Sequence, residues 1–528
     1  MSRRSVDRIL NRRSLVASGG LTSLGLLAAA RAGSAGAAPA SFASMLAQGE
    51  TAEVTIGMSN EPNTLDPHLA IGRHSETFLM NLYDSLVKTG PDNTFLPGLA
   101  ESWEQLDPTT WQFQLREGVT FHNGEPFTAE AVKFTFERVL NPETEATTAS
   151  LLSTLERVDI IDPMTVNIIT NQPDIMFLQR ISELYGPILP PRYVQEAGAD
   201  ALADAPIGTG PFMLTEWVRN ERLVLEAYQD YWAGPPRVSR ITVRPILEDA
   251  TRISALLAGE VQLINAVPYV RIAELEANPD LRVETVPSPR VFFVVIDPRE
   301  APFDDVRVRQ ALNHAVDVDA IITSLYMGYA TRLATVVDTG ALGHDPSIVP
   351  YEYDPDRARE LLAEAGYPDG FETNFDAFTG SIADHSQAAQ AIVDYLRNVG
   401  INANLNMMEF GAFGPVRVGN EAGPLFIYSF GNWAGEPSFM IEWMMQGDAS
   451  LFYQNPEILA LLEEASANFN PDERTEIYAE VQRMLREDAG FIYLFQAESV
   501  FAMQQDISFQ PRPDELFDLY PLEVVTEA

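Results

Sequence analysis

The sequence predicts an α/β protein made of two lobes with a cleft between them. Strand-like runs alternate with amphipathic helical runs along most of the chain, which is typical of α/β lobes. The chain has 528 residues, too many for a single hydrophobic core. Two glycines and a proline in the stretch 207–212 predict that one backbone segment passes close to another. We interpret this stretch as the point where the chain returns to a lobe that it left earlier.

Hydrophobic periodicity predicts the individual elements in chain order. Alternating or continuous apolar runs predict strands at 52–58, 111–115, 158–161, 165–170, 213–218, 223–227, 291–296, 424–430 and 491–495. Apolar residues at helical spacing predict helices at 75–87, 128–139, 250–258, 304–315, 357–365, 387–399 and 473–487. The runs 213–218 and 223–227 flank a turn and form a predicted hairpin directly after the glycine-containing stretch.

The first 40 residues have the order of an export signal. Arginines precede an apolar stretch at 15–30, which is too short and too rich in glycine for a membrane span. The segment 11–16 (NRRSLV) resembles a twin-arginine signal, and small residues at 35–40 offer cleavage sites. The general secretory route is the alternative. We therefore expect a periplasmic protein from which the signal is removed and which inserts no segment into the membrane.

The composition is strongly acidic and lacks cysteine. The chain carries 75 acidic and 35 basic residues, which gives a formal net charge of −40. Phosphate binding needs clustered lysine and arginine, so we expect no nucleic-acid partner. The lack of cysteine excludes disulfides, thiolate metal sites and a cysteine nucleophile. A saline habitat would account for the acidity, and we state this as a hypothesis.

The sequence lacks the common motifs of catalysis. It has no glycine-flanked serine, no phosphate loop and no histidine pair one helical turn apart. His68 and His74 are close in sequence, but their spacing suits no metal-binding helix face. Asp317 and Asp319 precede a helical pattern and are expected to cap a helix rather than bind calcium. We therefore predict a protein that is not an enzyme and that needs no cofactor or metal.

Aromatic and amide side chains gather at the ends of predicted strands. Phe430, Asn432 and Trp433 follow one strand, Asn265 ends another apolar run, and Arg290 precedes a buried run. Aromatic faces with a few fixed polar groups are typical of sites for small ligands. Trp433 fits core packing or a domain contact equally well.

Seven short stretches after the export signal form a specific set. They are Leu65–Pro67 (LDP), Leu96–Trp103 (LPGLAESW), Trp111–Arg116 (WQFQLR), Asn123–Phe127 (NGEPF), Ile207–Phe212 (IGTGPF), Ala301–Leu312 (APFDDVRVRQAL) and Leu361–Tyr367 (LLAEAGY). Together, and in this order, they resemble the periplasmic solute-binding proteins of peptide/nickel-type ABC importers, bacterial extracellular solute-binding protein family 5.

The resemblance implies a two-lobed Venus-flytrap fold, similar to type II periplasmic binding proteins, with an extra domain inserted in the first lobe. It assigns residues 51–90, 206–289 and 490–528 to the first lobe, 91–205 to the inserted domain, and 290–489 to the second lobe. It also implies a monomer that captures a peptide or another small polar solute between the lobes. The partner would be an ABC permease at the inner membrane, and closure requires that the ligand contacts both lobes.

By position, the resemblance also implies the residues that contact the ligand. These are Ile71, Gly72, Arg73, Asn265, Arg290, Arg417, Phe430, Gly431, Asn432 and Trp433. Peptide binders of this family carry an aspartate shortly after this strand, where it pairs with the amino terminus of the peptide, but the segment 431–437 contains none. Burying an ammonium group without a carboxylate is costly. An oligosaccharide, an opine-like or modified amino compound, a capped peptide or a nickel complex is therefore an alternative ligand, and the three arginines suit a ligand carboxylate.

An exported hydrolase and a sensor or scaffold subunit are the alternatives to a transport protein. A hydrolase needs a nucleophile, a base and oxyanion donors that converge in the cleft, and the sequence marks no such set. A sensor subunit would share the fold and work without a permease.

Overall fold

The computed structural model describes residues 52–70, 72–182, 185–198, 200–379, 385–419, 421–446 and 452–525. The segment Glu50–Ala528 forms one compact unit. The predicted export signal lies outside the described residues. Within the described ranges, no helix is both long enough and apolar enough to cross a membrane.

Strands and helices alternate along the chain as predicted, and further strands that periodicity did not mark lie at Phe371–Thr379 and Ile401–Glu409. The strands are β1 Glu53–Met58, β2 Val87–Thr89, β3 Phe95–Pro97, β4 Ala100–Asp107, β5 Thr110–Leu115, β6 Leu155–Asp162, β7 Thr165–Thr170, β8 Phe212–Val218, β9 Arg222–Ala227, β10 Arg240–Pro245, β11 Leu263–Ile264, β12 Leu281–Ile296, β13 Ala330–Arg332, β14 Phe371–Thr379, β15 Ile401–Glu409, β16 Leu425–Gly431, β17 Phe491–Gln504, β18 Ile507–Ser508 and β19 Glu523–Val524. The α-helices are α1 Arg73–Leu82, α2 Ala129–Leu140, α3 Phe177–Arg180, α4 Pro191–Ala197, α5 Ala201–Asp204, α6 Asp249–Leu257, α7 Ile272–Glu276, α8 Val306–Ala315, α9 Val318–Leu325, α10 Pro355–Glu364, α11 His385–Asn398, α12 Phe410–Val418, α13 Pro437–Gln446, α14 Pro456–Ser466 and α15 Pro471–Asp488. Three short 3₁₀ helices span Pro142–Thr144, Ala149–Leu152 and Tyr269–Arg271.

The largest sheet has eleven strands. Its order is β15-β14-β16-β12-β17-β11-β1-β10-β9-β8, and β13 pairs with β17 outside this path. One half packs around a core that includes Ile56 and Met503, and the other half around a core that includes Val294 and Ile492. The strands β12 and β17 pair antiparallel along most of their length and contribute to both halves. The two halves of the sheet are therefore joined through these two strands.

The two central strands are longer than the sequence predicts. The apolar run 291–296 is only the last part of β12, and the run 491–495 is only the first part of β17. The part of β12 that periodicity missed contains Pro287, Pro289 and polar residues, which weaken the pattern of a strand. The register of the ladder shifts between Pro287 and Val291, consistent with the missing N–H of proline.

The predicted hairpin is confirmed, since β8 and β9 pair antiparallel. A separate four-stranded sheet has the order β4-β5-β7-β6. The helix α2 packs on it around Phe113, Phe136 and Ile168. This sheet thus has a hydrophobic core of its own.

Gly208 and Gly210 lie where the chain approaches β8, against the end of α1. A Cβ atom on Gly208 would lie 2.0 Å from the carbonyl oxygen of Leu82, and one on Gly210 would lie 2.5 Å from its carbonyl carbon. The predicted close passage of two backbone segments is therefore confirmed. The predicted extent of the helix 75–87 is wrong, since α1 ends at Leu82. Beyond it, Asp84 turns inward and accepts a hydrogen bond from the Thr209 hydroxyl at 3.1 Å.

Candidate ligand-binding cleft

A cleft with a volume of about 430 Å³ lies beside the central strands. This volume falls in the range of roughly 300–1,000 Å³ that is usual for small-molecule sites. The walls come from the ends of β1 and β11, the first turn of α1, the middle of β12 and β17, and the C-terminal segment. Four of the predicted site residues line it, namely Gly72, Arg73, Asn265 and Arg290. The fold thus brings together residues from distant parts of the sequence.

Arg73 is the first residue of α1 and lies on the cleft wall. Gly72 precedes it with φ 83°, a conformation that favours glycine. Only 9% of the Arg73 side chain is exposed, and Nη1 donates to Glu76 Oε2 at 2.9 Å. Burial raises the pKa of Glu76 in spite of the opposing charge of Arg73. The buried Nε and Nη2 of Arg73 have no hydrogen-bond acceptor among the described residues, so this guanidinium suits a ligand carboxylate.

Trp433 lies next to both cleft arginines. The Cζ atom of Arg73 is 4.4 Å from the centre of the indole ring, and that of Arg290 is 5.0 Å away. Both are cation–π distances. The ring folds back over Gly431, where an added Cβ would lie 2.1 Å from Cζ2 of the ring. Glycine at the end of β16 is therefore required to keep Trp433 in contact with the arginines.

Arg290 lies at the register shift of β12 and forms an ion pair with Glu515. Its Nη2 donates to Glu515 Oε2 at 3.1 Å, and Ser288 Oγ donates to Oε1 at 2.6 Å. Burial raises the pKa of Glu515, but Arg290 and Ser288 outweigh this effect and hold the pKa below its ordinary value. The sequence analysis missed Glu515, because it lies 225 positions from Arg290 and no motif marks the C-terminal segment.

Asn265 lies at the end of β11 and holds the end of β1. It accepts a hydrogen bond from the backbone N–H of Ser59 at 2.9 Å, and its Nδ2 donates to Ser59 Oγ at 3.3 Å. Since β1 and β11 are parallel neighbours, these bonds join two strand ends on the same wall. Asn265 thereby shapes the cleft and presents its amide there.

Three further predicted residues contact other partners. Phe430 stacks on Trp443 with ring centres 4.4 Å apart, and the Arg417 guanidinium lies 5.6 Å from the same indole. Asn432 is buried, and its Nδ2 donates to Asp338 Oδ2 at 3.0 Å. Burial raises the pKa of Asp338 to about 6. None of these three residues is among those that line the cleft in the described part of the chain.

Ile71, the remaining predicted residue, lies outside the described residues. Glu436 is the one acidic residue of the segment 431–437. Its carboxylate accepts hydrogen bonds from Arg474 at 2.7 Å and from the Tyr478 hydroxyl at 2.8 Å, so it is committed to internal partners. In the part of the chain that the structure describes, no group of three or more histidine, aspartate or glutamate side chains is placed to hold a metal ion.

Comparison with known proteins identifies the family of the chain. The model of the family "Bacterial extracellular solute-binding proteins, family 5 Middle" matches residues 94–451. The chain is 30% identical over 483 residues to the glutathione-binding protein GsiB of Salmonella typhi, with 88% of this chain and 93% of the relative covered.

Solved structures confirm the predicted two-lobed α/β fold. DppA of Helicobacter pylori, in complex with the peptide STSA, has a TM-score of 0.78 at 24% identity and covers 91% of this chain and 99% of its own. AgaA of A. tumefaciens R10, in complex with agropinic acid, has a TM-score of 0.76 at 24% identity and covers 90% and 99%. The chain belongs to the bacterial extracellular solute-binding proteins of family 5, and it is a substrate-binding component of an ABC transporter rather than an enzyme.

Proposed function

We propose that this protein works in the periplasm and captures a small peptide-like solute that carries a carboxylate, with glutathione as the representative ligand. The name of the relative GsiB supports this class of ligand. The proposal includes export by the segment 1–40, through the twin-arginine route, and action as a monomer. It also includes delivery of the ligand to a permease at the inner membrane.

The observation that carries the proposal is the buried guanidinium of Arg73. Two of its nitrogen atoms are buried without a hydrogen-bond acceptor among the described residues, and the side chain lines the cleft. Leaving buried donors unsatisfied costs about 1–3 kcal/mol each. A ligand carboxylate would accept from both nitrogens, because guanidinium and carboxylate groups match in a bidentate geometry. The nearby Arg290 and Trp433 add a second cation and an aromatic surface.

We also propose the division into lobes that the sequence suggests. The first lobe would comprise 51–90, 206–289 and 490–528, and the second lobe 290–489. The separate core of the four-stranded sheet supports an inserted domain at 91–205. In this arrangement Arg73 belongs to the first lobe and Trp433 to the second, so a ligand between them would favour the closed state.

Calorimetric titration of the purified chain with glutathione tests the function, and the variant Trp433→Ala tests the site. We expect the parent chain to bind glutathione. We expect Trp433→Ala to weaken binding at least about tenfold, because it removes the aromatic surface between the lobes. Its melting temperature should stay close to that of the parent, since Trp433 is only half-buried.

Trp217→Ala is the matched control for this variant. Trp217 lies on β8, away from the cleft lining, and the Arg219 guanidinium lies 3.5 Å from its ring centre. This control should leave the affinity unchanged. An unchanged affinity in Trp433→Ala would remove Trp433 from the site, and a parent chain that does not bind glutathione would contradict the proposed function.

A further inference from the structure

We infer that Glu515 binds the ammonium group of the ligand, so that Glu515, Arg290 and Arg73 together recognise an amino-acid head. Such a head carries an ammonium group and a carboxylate on the same carbon atom, as the γ-glutamyl end of glutathione does. The inference rests on the proposed function and specifies its substrate class. It assigns to the C-terminal segment the carboxylate that the segment 431–437 does not provide.

The C-terminal segment is tied to α1, the helix that carries Arg73. The backbone N–H of Phe517 donates to Thr77 Oγ1 at 2.7 Å, and Asn81 Nδ2 donates to the Phe517 carbonyl at 2.7 Å. Both bonds are buried. Glu515 is two residues away from this anchor, so its position relative to Arg73 is fixed by the fold.

The turn that presents Glu515 is also fixed on its other side. Arg512 Nη2 donates to Asp514 Oδ2 at 2.6 Å and to the Thr89 carbonyl at 2.8 Å. Glu515 itself has φ 62°, a left-handed conformation that is unfavourable for a non-glycine residue. A strained residue between two anchors indicates that the direction of its side chain is constrained.

The Glu515 carboxylate keeps room for another donor. Its Oε2 accepts from Arg290 Nη2 at 3.1 Å, and its Oε1 accepts from Ser288 Oγ at 2.6 Å and from Arg290 Nε at 3.4 Å. An ionised carboxylate offers about four acceptor positions. The side chain is 22% exposed and lines the cleft, and the lowered pKa keeps it charged at neutral pH.

The arginines and acidic residues that line the cleft within the described ranges are two of each, Arg73 and Arg290 with Glu498 and Glu515. Arg73 is paired with Glu76 at 2.9 Å and Arg290 with Glu515 at 3.1 Å. A ligand end with a carboxylate alone would meet arginines that already have counter-ions. An amino-acid head instead offers a carboxylate to the unsatisfied donors of Arg73 and an ammonium group to Glu515. Its net charge is zero, which matches the balanced wall.

Glu498 is the competing acceptor, since it is the other acidic residue on the cleft wall within the described ranges. It lies on β17 opposite Pro287. Glu515 is the stronger candidate, because it contacts Arg290, which in turn contacts Trp433. An ammonium group beside these residues would also lie close to the indole ring.

The test compares glutathione with N-acetylglutathione, which keeps both carboxylates and loses the ammonium group. Affinities are measured by calorimetry for the full chain, for Glu515→Gln and for Glu498→Gln. Glu284→Gln is the matched control. Glu284 and Arg282 both lie on β12 and form an ion pair at 2.7 Å, and Glu284 lies outside the cleft lining. We expect the parent and the control to prefer glutathione by roughly tenfold or more.

In Glu515→Gln we expect this preference to fall below about threefold, mainly through weaker binding of glutathione. A purely structural role of Glu515 would weaken both peptides alike and would overturn the inference. Loss of the preference in Glu498→Gln alone would overturn it as well. If the parent binds both peptides equally, the inference fails while the proposed function stands; if it binds neither, both fail. The comparison on the parent chain keeps the inference testable even if Glu515→Gln is unstable.

Discussion

Asp338 is a buried carboxyl group that holds Asn432 in place. It is only 2% exposed, and it accepts hydrogen bonds from Asn432 Nδ2 at 3.0 Å and from the backbone N–H of Gly340 at 3.1 Å. Burial raises its pKa to about 6, and these hydrogen bonds only partly oppose the shift. The Oδ1 atom of Asn432 is buried without a partner among the described residues. A neutral Asp338 could donate to this oxygen if the amide were turned.

Replacing Asp338 with asparagine should flatten the pH dependence of stability between about pH 4 and pH 6. In the unfolded chain the pKa of an aspartate is near 3.9, so within this window the folded parent binds more protons at the site than the unfolded parent does. The stability of the parent therefore falls as the pH rises, by on the order of 2–3 kcal/mol from this group. The asparagine has no proton to lose and keeps an acceptor for Asn432. Urea unfolding of both chains across this pH range measures the difference.

Asp345→Asn is the control for this prediction. Hydrogen bonds from Ser347 lower the pKa of the partly exposed Asp345, so its removal cannot produce the same flattening. Equal pH dependence in the parent and in Asp338→Asn would show that Asp338 does not titrate in this window.

Single residues show how far the sequence could locate the site. The resemblance to the family pointed to Arg73, whereas residue patterns pointed to Arg290 and Trp433. The fold brings these three residues together. Glu515 could not be found, because its relation to Arg290 exists only through tertiary structure. Asn432 shows that a residue type expected at a ligand site can have another role. Its side-chain amide, at the end of a strand, donates to the buried carboxyl group of Asp338.

Among the elements, the stretch 207–212 was predictable and the end of α1 was not. Two glycines close to a proline indicate tight backbone contact whatever the partner is. The end of α1 depends on the segment that packs against it, because Asp84 accepts a hydrogen bond from Thr209 of the stretch 207–212. Periodicity alone extends a helix until the apolar pattern stops, which here is beyond Leu82.

Gly210→Ala should destabilise the protein by roughly 2–4 kcal/mol. The new Cβ would lie 2.5 Å from the carbonyl carbon of Leu82, 2.6 Å from the nitrogen of Tyr83 and 2.8 Å from the oxygen of Asn81. All three are backbone atoms, so no side chain can move aside. The contact would also disturb the hydrogen bond from the Gly210 N–H to the Leu82 carbonyl at 3.0 Å. Thermal and urea unfolding measure the loss.

Gly340→Ala is the matched control for this variant. Gly340 is exposed, and the nearest atom to a Cβ there, Asp338 Oδ1, would lie 3.4 Å away, which is an ordinary van der Waals contact. This variant should change the free energy of unfolding by less than about 0.5 kcal/mol. A Gly210→Ala variant as stable as this control would contradict the close packing of 207–212 against α1.

For the whole molecule, the lobed architecture was predictable and the path of the central sheet was not. The alternation of strands and helices gives the α/β class. The full lengths of β12 and β17 are set by their pairing with each other. Local sequence patterns do not reveal the length of β12, because its part around Pro287 is polar and contains proline. The same irregular part carries Ser288 and Arg290 into the cleft. The connection between the two halves of the sheet and part of the cleft wall are thus built from one segment.

The net charge of the whole chain predicts that salt stabilises the protein at neutral pH. With 75 acidic and 35 basic residues, long-range repulsion exceeds what the close ion pairs offset. Raising the salt concentration from about 0.15 M to about 1 M shortens the screening length from roughly 8 Å to roughly 3 Å, which weakens distant repulsion more than contacts below 4 Å. We therefore expect the melting temperature to rise with potassium chloride. Near pH 4.4, where the net charge approaches zero, the same addition should have little effect. A melting temperature that stays flat or falls with salt at neutral pH would show that repulsion does not limit stability, and would remove the basis for a saline habitat.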